Sequence, residues 1–310
     1  MNIITIIPSN IEITVALISA GTTIFLFILT GIGRFFYTRY SLNYKLKKEY
    51  NFEQRKSIKV NLARSKTPLI KAAEELNYRL WNLSDNINEG WLNVDKANWT
   101  ETKRYYLRST VYRFLTFIFW TLEAERSIYS FDFSQADKSD TLYLKYIKVL
   151  KHFFCAPELL KELGYDPSHP TNHFYKDDLQ RYACYIKDGR GGVINFMEFE
   201  RKFQAEHKDI EQVIRYMTKI DNTSGNLNYN VVRGFHLFLM LFLNKYGLDY
   251  HYTQHKKYRG LIHGKYSSIT IKKGLYEFFE RNKVMDEAKW IIKDLLCVNR
   301  FLAIRGHIVT

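Results

Sequence analysis

The chain has 310 residues, enough for one large domain or two small ones, and an apolar content of 46%, which excludes an intrinsically disordered protein. It contains 23 Tyr and 22 Phe, so a substantial core is expected. Its 46 basic and 32 acidic residues leave a formal charge of +14, which favours anionic partners.

The first predicted element is a membrane-spanning helix. Residues 13–32 read ITVALISAGTTIFLFILTGI, without charge or proline, between Glu12 and Arg34. Twenty helical residues rise about 30 Å, the hydrocarbon thickness of a bilayer. No Lys or Arg precedes the run, whereas ten basic and two acidic residues follow it up to Lys66. The positive-inside rule therefore places the N-terminus outside and the C-terminus in the cytoplasm, and it disfavours a cleaved signal peptide, whose basic residues precede its apolar core.

These features predict a mainly α protein, with one N-terminal transmembrane helix followed by a cytoplasmic helical-bundle domain. The expected localisation is the cell inner membrane, crossed once. The predicted segments are a short extracytoplasmic N-terminus at 1–12, the transmembrane helix at 13–33, a basic juxtamembrane segment at 34–66 and the cytoplasmic domain at 67–310.

Small residues lie at four-residue spacing in the predicted span. Ala16 and Ala20 form one such pair, and Ser19 and Thr23 form another. Helix association in lipid depends on close backbone approach and on interhelical hydrogen bonds. The pattern therefore predicts a homo-oligomer through Ala16, Ala20, Ser19 and Thr23. The alternative is that small residues are simply tolerated in a span.

The juxtamembrane segment is expected to lie along the membrane surface, because anionic lipids attract each nearby basic residue by about 1 kcal/mol. The alternative is a solvated topology determinant. The expected lipid-contacting residues are Lys45, Lys47, Lys48, Arg55, Lys56 and Lys59.

The rest of the chain has helical periodicity. A stripe from Leu69 to Leu83 predicts a helix that starts near Thr67-Pro68, a favourable N-terminal signal. A short strand pair around Val193 and 269–271 remains open. Further helices are predicted at 105–131, 141–154, 210–220, 231–246 and 288–302.

Two apolar runs resemble further spans but are too short for that role. FLTFIFWTL at 114–122 and FHLFLMLFL at 235–243 have about half the length that a bilayer requires. We interpret both as core helices. Cys155, Cys184 and Cys297 form no CxxC pair and are expected to be small apolar packing residues in a reducing cytoplasm.

Two segments, KAAEELNYRLWNL at 71–83 and STVYRFLTFIFWTLEAER at 109–126, resemble stretches of uncharacterised bacterial proteins with an N-terminal anchor before a helical domain. The resemblance covers about a quarter of the chain. It implies a bacterial source and no particular activity.

No metal site or cofactor is predicted. His169 and His173 are separated by Pro170, and the histidines between 251 and 263 do not supply four convergent ligands. The segment 221–228 lacks the glycine position and the bidentate glutamate of a calcium loop. The glycine cluster at 189–192 could present amides to a phosphate, but such a cluster is typical of a turn.

One catalytic hypothesis concerns the C-terminal segment NRFLAIRGH. Arg300 and His307 in this segment resemble, in that motif alone, the Arg–His pair of ribonucleases with the helical HEPN fold. The resemblance implies that the histidine acts as acid or base beside a guanidinium that neutralises phosphate. The alternative is a surface arginine followed by a frayed C-terminus.

The basic block at 250–274 is the stronger candidate for ligand binding. It mixes Lys and Arg with Tyr and His and contains no acid, a combination that contacts phosphates and stacks on bases. A nucleotide, nucleic acid, an anionic headgroup or an acidic protein would suit it, and a solvated loop is the alternative. The expected anion-binding residues are Lys256, Lys257, Tyr258, Arg259 and Lys265.

The sequence thus favours a membrane-anchored cytoplasmic protein that acts through binding rather than catalysis. A sensor, adaptor or effector in bacterial stress or antiphage defence would have this architecture. The alternatives are a membrane-tethered HEPN-like ribonuclease and an oligomeric effector that disrupts the membrane.

Overall fold

The computed structural model describes residues 9–93, 101–129, 137–168, 172–223, 225–263 and 270–295, in a chain of two compact units at 1–57 and 58–310. Every regular element in these ranges is helical, which confirms the mainly α class. The strand pair that the sequence left undecided does not form in the described ranges. Val193 makes only an isolated bridge with Lys187, and Ile271 is the N-cap of a helix. Residue 269 lies outside the described ranges.

Nine α-helices are described, and short 3₁₀ turns connect several of them. Residues 289–295 are also helical. The helices are α1 (Ser9–Asp85), α2 (Glu101–Tyr129), α3 (Lys138–His152), α4 (Lys176–Cys184), α5 (Phe196–Glu206), α6 (Glu211–Thr218), α7 (Leu227–Tyr246), α8 (His255–His263) and α9 (Lys272–Arg281).

The expected helix start at Thr67-Pro68 does not occur, because α1 continues through Pro68. An internal proline removes one helical hydrogen bond and costs about 3 kcal/mol. Burial outweighs that cost, since the buried stripe begins at Ile58 and Leu62, before the proline. The second compact unit therefore includes residues 58–66, which the sequence analysis assigned to the juxtamembrane segment.

The core of the second unit surrounds α7, whose residues are buried from Asn228 to Leu243. The ring of Phe235 lies 5.4 Å from that of Phe117 on α2 and 4.7 Å from that of Phe154. In the run at 114–122 every residue is buried except Trp120, which is half-buried. Both short apolar runs are thus core helices, as predicted.

The helix α9 approaches the 3₁₀ turn Pro157–Leu163 closely. A Cβ atom on Gly274 would lie 2.6 Å from the backbone oxygen of Leu159, so only glycine fits there. The Gly274 amide donates to the Glu162 carboxylate, and Arg281 Nη1 lies 2.7 Å from Glu158 Oε1. These contacts attach α9 to the turn.

The cysteines differ in their surroundings. Cys155 is half-buried, and burial raises its pKa to about 11, so it is an unreactive packing residue. Cys184, at the end of α4, is exposed rather than packed. Cys297 lies outside the described residues.

Candidate functional site

The first half of α1 is a candidate membrane span by length and composition, and no other described helix meets that test. The side chains of residues 13–32 are all exposed in the first unit. They include Phe25, Phe27 and Ile28 at 62%, 79% and 52% exposure. The core helices α2 and α7, in contrast, bury their apolar runs.

Hydroxyl groups in this stretch bond to the helix's own backbone. Thr22 Oγ1 and Thr23 Oγ1 each donate across 2.7 Å, to the carbonyl oxygens of Ile18 and Ser19 respectively. Thr30 Oγ1 donates to the Leu26 carbonyl oxygen at 2.5 Å. The hydroxyl protons of Thr22, Thr23 and Thr30 are therefore satisfied within the helix itself, an arrangement that is compatible with lipid.

The expected lipid-contacting residues lie on α1 and are exposed. At 100° per residue, Lys45, Lys48, Arg55 and Lys56 fall within an arc of about 100°, with the exposed Phe52 among them. Lys47 lies on another face, and Lys59 belongs to the second unit. The four cations of the arc form what we call the basic stripe.

The distance along the helix limits what the basic stripe can contact. Lys45 follows Arg34 by eleven residues, which is a rise of about 17 Å. The Debye length is about 8 Å at physiological salt, so a helix along the bilayer normal would carry the stripe beyond the reach of headgroups. Contact between the stripe and lipid therefore requires a steep tilt or a bend.

Three of the five expected anion-binding residues are exposed on α8, namely Lys256, Lys257 and Arg259. Tyr258 is instead fully buried: its hydroxyl accepts a 3.0 Å hydrogen bond from Asn244 Nδ2, and burial raises its pKa. Its ring is unavailable for stacking on a ligand. Lys265 lies outside the described residues.

An acidic residue that the sequence analysis missed lies beneath α8. Asp294 Oδ2 is 3.3 Å from His255 Nε2 and 3.5 Å from Arg259 Nε, and its side chain is only 7% exposed. The sequence contained a signal for this contact: Asp294 follows Ile291 by three residues, so it lies on the apolar, core-facing side of its helix. Arg259 is therefore partly neutralised, whereas within the described ranges Lys256 and Lys257 have no ion pair.

A cavity of about 350 Å³ adjoins α8. The side chains of Asn244, Tyr252, His255 and Trp290 contribute to its wall. Asn244 holds the chain before α8, because its amide accepts from Thr253 N at 2.7 Å and donates to Thr253 O at 3.1 Å. The His255 and Trp290 rings are 4.8 Å apart. This arrangement places a cationic helix beside a cavity whose wall is largely aromatic.

Two further histidine candidates, His173 and His251, have structural partners. His173 Nδ1 lies 2.7 Å from the Tyr165 hydroxyl, and burial lowers the pKa of His173. His251 Nδ1 accepts from Leu248 N, and its Nε2 lies 3.3 Å from Glu74 Oε2. No three metal-ligating side chains converge in the described ranges, and His169 lies outside them.

The glycine cluster at 189–192 is a turn around Asp188. The Asp188 carboxylate accepts from Arg190 N at 2.8 Å and from Gly192 N at 2.7 Å. These amides are therefore directed at a side chain of the protein rather than presented to a phosphate.

The expected catalytic pair, Arg300 and His307, lies outside the described residues. Comparison of the chain with protein-family models, curated proteins and solved structures gave no match.

Proposed function

We propose that this protein is a single-pass inner-membrane protein whose second unit faces the cytoplasm and binds an anionic partner through α8. The observation that carries the membrane assignment is the exposure of every side chain between residues 13 and 32. Eleven of these are large and apolar, so leaving them in water would cost on the order of 20 kcal/mol. A bilayer removes that cost.

The charge distribution supports the orientation. Ten basic and two acidic residues lie in the segment from Arg34 to Lys66, both included. No Lys or Arg lies before residue 13. Arg34 and Arg39 are near enough to the span to meet the inner headgroups, and both are exposed. The basic side of the span therefore remains in the cytoplasm.

The topology is tested with reporters fused after Thr310. We expect fluorescence from a green fluorescent protein fusion and no activity from an alkaline phosphatase fusion. Replacing residues 24–29 by six Ser should release the chain from the membrane fraction, whereas replacement by six Leu should retain it. Alkaline phosphatase activity, or a Ser variant that stays in the membrane at high salt and high pH, would contradict the proposal.

The proposed partner site depends on Lys256 and Lys257, which are exposed on α8 and have no ion pair among the described residues. With Tyr258 buried, recognition by this helix is electrostatic rather than by base stacking. Its strength should therefore decrease steeply with salt.

Heparin-agarose serves as a polyanion probe for the full chain in detergent. The double variant Lys256→Gln, Lys257→Gln should elute at lower salt than the matched double variant Lys71→Gln, Lys161→Gln, which alters exposed lysines elsewhere. Identical elution of the two double variants would show that α8 is not the surface that binds anions.

A further inference from the structure

The second unit contains another cavity, lined mainly by α1 and α2, where two arginines converge and neither has a carboxylate partner among the described residues. Its volume is about 390 Å³, within the range of roughly 300–1,000 Å³ that is usual for small-molecule sites. Its wall includes Arg79, Arg113, Tyr78, Tyr105, Trp91 and Glu75.

Ser109 fixes both guanidinium groups. Arg79 Nη2 donates to Ser109 Oγ at 2.8 Å, and Arg113 Nη1 donates to the Ser109 carbonyl oxygen at 3.1 Å. Arg79 also lies 4.3 Å above the ring of Tyr106. Both cations are thus ordered before any ligand binds, which reduces the entropy lost on binding.

The two like charges are held together at a desolvated position. Burial lowers the pKa of Arg79, and the charge of Arg113 lowers it further. In the described part of the chain no carboxylate oxygen lies within 4.0 Å of either guanidinium, whereas Arg108 on the same helix is paired with Glu200 at 3.0 Å. An anion would offset this repulsion.

The mouth of the cavity has exposed aromatic rings. Tyr78 is 61% exposed and Tyr105 is 47% exposed, although most tyrosines of this unit are buried or half-buried. Exposed rings next to arginines are suited to stack on a planar base while the guanidiniums hold phosphate oxygens. Glu75 adds an acceptor for the hydroxyl or amino groups of such a ligand.

We propose that this cavity binds a nucleoside phosphate, with Arg79 and Arg113 on the phosphate and Tyr78 and Tyr105 against the base. It is separate from the cationic, anion-binding surface of α8, and either proposal can fail without the other. The site binds its ligand and is not assigned a reaction.

The experiment is isothermal titration calorimetry of the full chain in detergent with ATP, GTP, CTP, UTP and inorganic pyrophosphate. We expect at least one nucleotide to bind more tightly than pyrophosphate. Arg113→Gln should weaken its binding at least about tenfold, because charge-assisted hydrogen bonds are lost. Arg126→Gln, at the exposed end of the same helix, is the matched control and should bind normally.

Tyr78→Leu provides a test that does not endanger folding, since this ring is exposed. It should weaken nucleotide binding about fivefold or more and leave pyrophosphate binding unchanged. The proposal is overturned if no nucleotide binds at millimolar concentration, or if Arg113→Gln behaves like Arg126→Gln. Pyrophosphate binding as tight as that of every nucleotide, or a single-stranded oligonucleotide that binds in preference to all of them, would also overturn it.

Discussion

His236 Nε2 lies 2.9 Å from Asn77 Oδ1 in the interior of the second unit, where both side chains are buried. The pair joins α7 to α1, and the ring of Trp81 packs edge-on against the imidazole at 4.9 Å. Burial, together with the charge of Arg233, lowers the pKa of His236 to about 3. The imidazole is therefore neutral near pH 7, and its Nε2–H donates to the amide oxygen.

This histidine should make stability depend on pH. In the unfolded chain its pKa is about 6.5, so between pH 6.5 and about 3 the unfolded state binds the proton and the folded state does not. The contribution of His236 to the free energy of unfolding is therefore present above pH 6.5 and is lost as the pH falls toward 3. His173 and His263, whose pKa values are also lowered, act in the same direction.

We expect the free energy of unfolding of the full chain in detergent to decrease from pH 7 to pH 5. The slope contributed by His236 is at most about 1.4 kcal/mol per pH unit. His236→Gln should flatten the curve, whereas substitution of the exposed His207 by Gln should leave its slope unchanged. A full slope in His236→Gln would show that this imidazole is not the titrating group.

Two helical glycines should respond oppositely to alanine. Gly274→Ala would bring a methyl group to 2.6 Å from the Leu159 oxygen, so the free energy of unfolding should fall by about 1–3 kcal/mol. Gly260, within α8, has no atom within 4 Å of a built Cβ, and Gly260→Ala should stabilise by about 0.5–1 kcal/mol. Thermal unfolding compares the melting temperatures of the two variants with that of the unsubstituted chain. Equal shifts in melting temperature for both variants would contradict the close approach of α9 to the turn Pro157–Leu163.

The helical class and the two core runs were predictable because their signals are local. Residues 235–243 are apolar without interruption yet too short to cross a bilayer, and they are buried in α7. The sequence did not predict that α1 continues through Pro68, because a proline is a favourable signal for a helix start. The buried apolar stripe of this helix already begins at Ile58, ahead of the proline. Tertiary burial decides between those two local signals.

The candidate sites were harder to predict because they depend on contacts between distant residues. The charge of α8 was visible in Lys256 and Lys257, but its neutralisation by Asp294 comes from a residue 35 positions beyond Arg259. The convergence of Arg79 and Arg113 likewise requires the packing of α1 on α2. No spacing rule along the chain reports such pairs.

The basic stripe and its neighbours provide a test of lipid contact. A peptide of residues 40–66 should bind vesicles of anionic lipid at low salt and become more helical by circular dichroism. Changing Lys45, Lys47, Lys48, Arg55, Lys56 and Lys59 to Gln should abolish binding, and 0.5 M salt should mimic that effect. Failure of the unsubstituted peptide to bind at low salt would exclude a lipid-surface role for these residues.

The last prediction concerns self-association through the span. Ala16 and Ala20 lie one turn apart on α1, where small side chains permit a second helix to approach closely. Thr23 already donates its proton to the Ser19 carbonyl oxygen, so it retains only acceptor capacity toward a neighbour. Backbone approach rather than hydroxyl bonding should therefore dominate the association.

The double substitution Ala16→Ile, Ala20→Ile would prevent that approach while preserving the hydrophobicity of the span. Crosslinking in membranes should then fall from dimers or larger species to monomer. The matched variant Ile24→Ala, Ile28→Ala reduces bulk elsewhere in the span and should leave crosslinking intact, because association requires space at residues 16 and 20. If the Ile variant crosslinks as well as the unsubstituted chain, the small-residue face is not the interface, and any self-association must involve other residues.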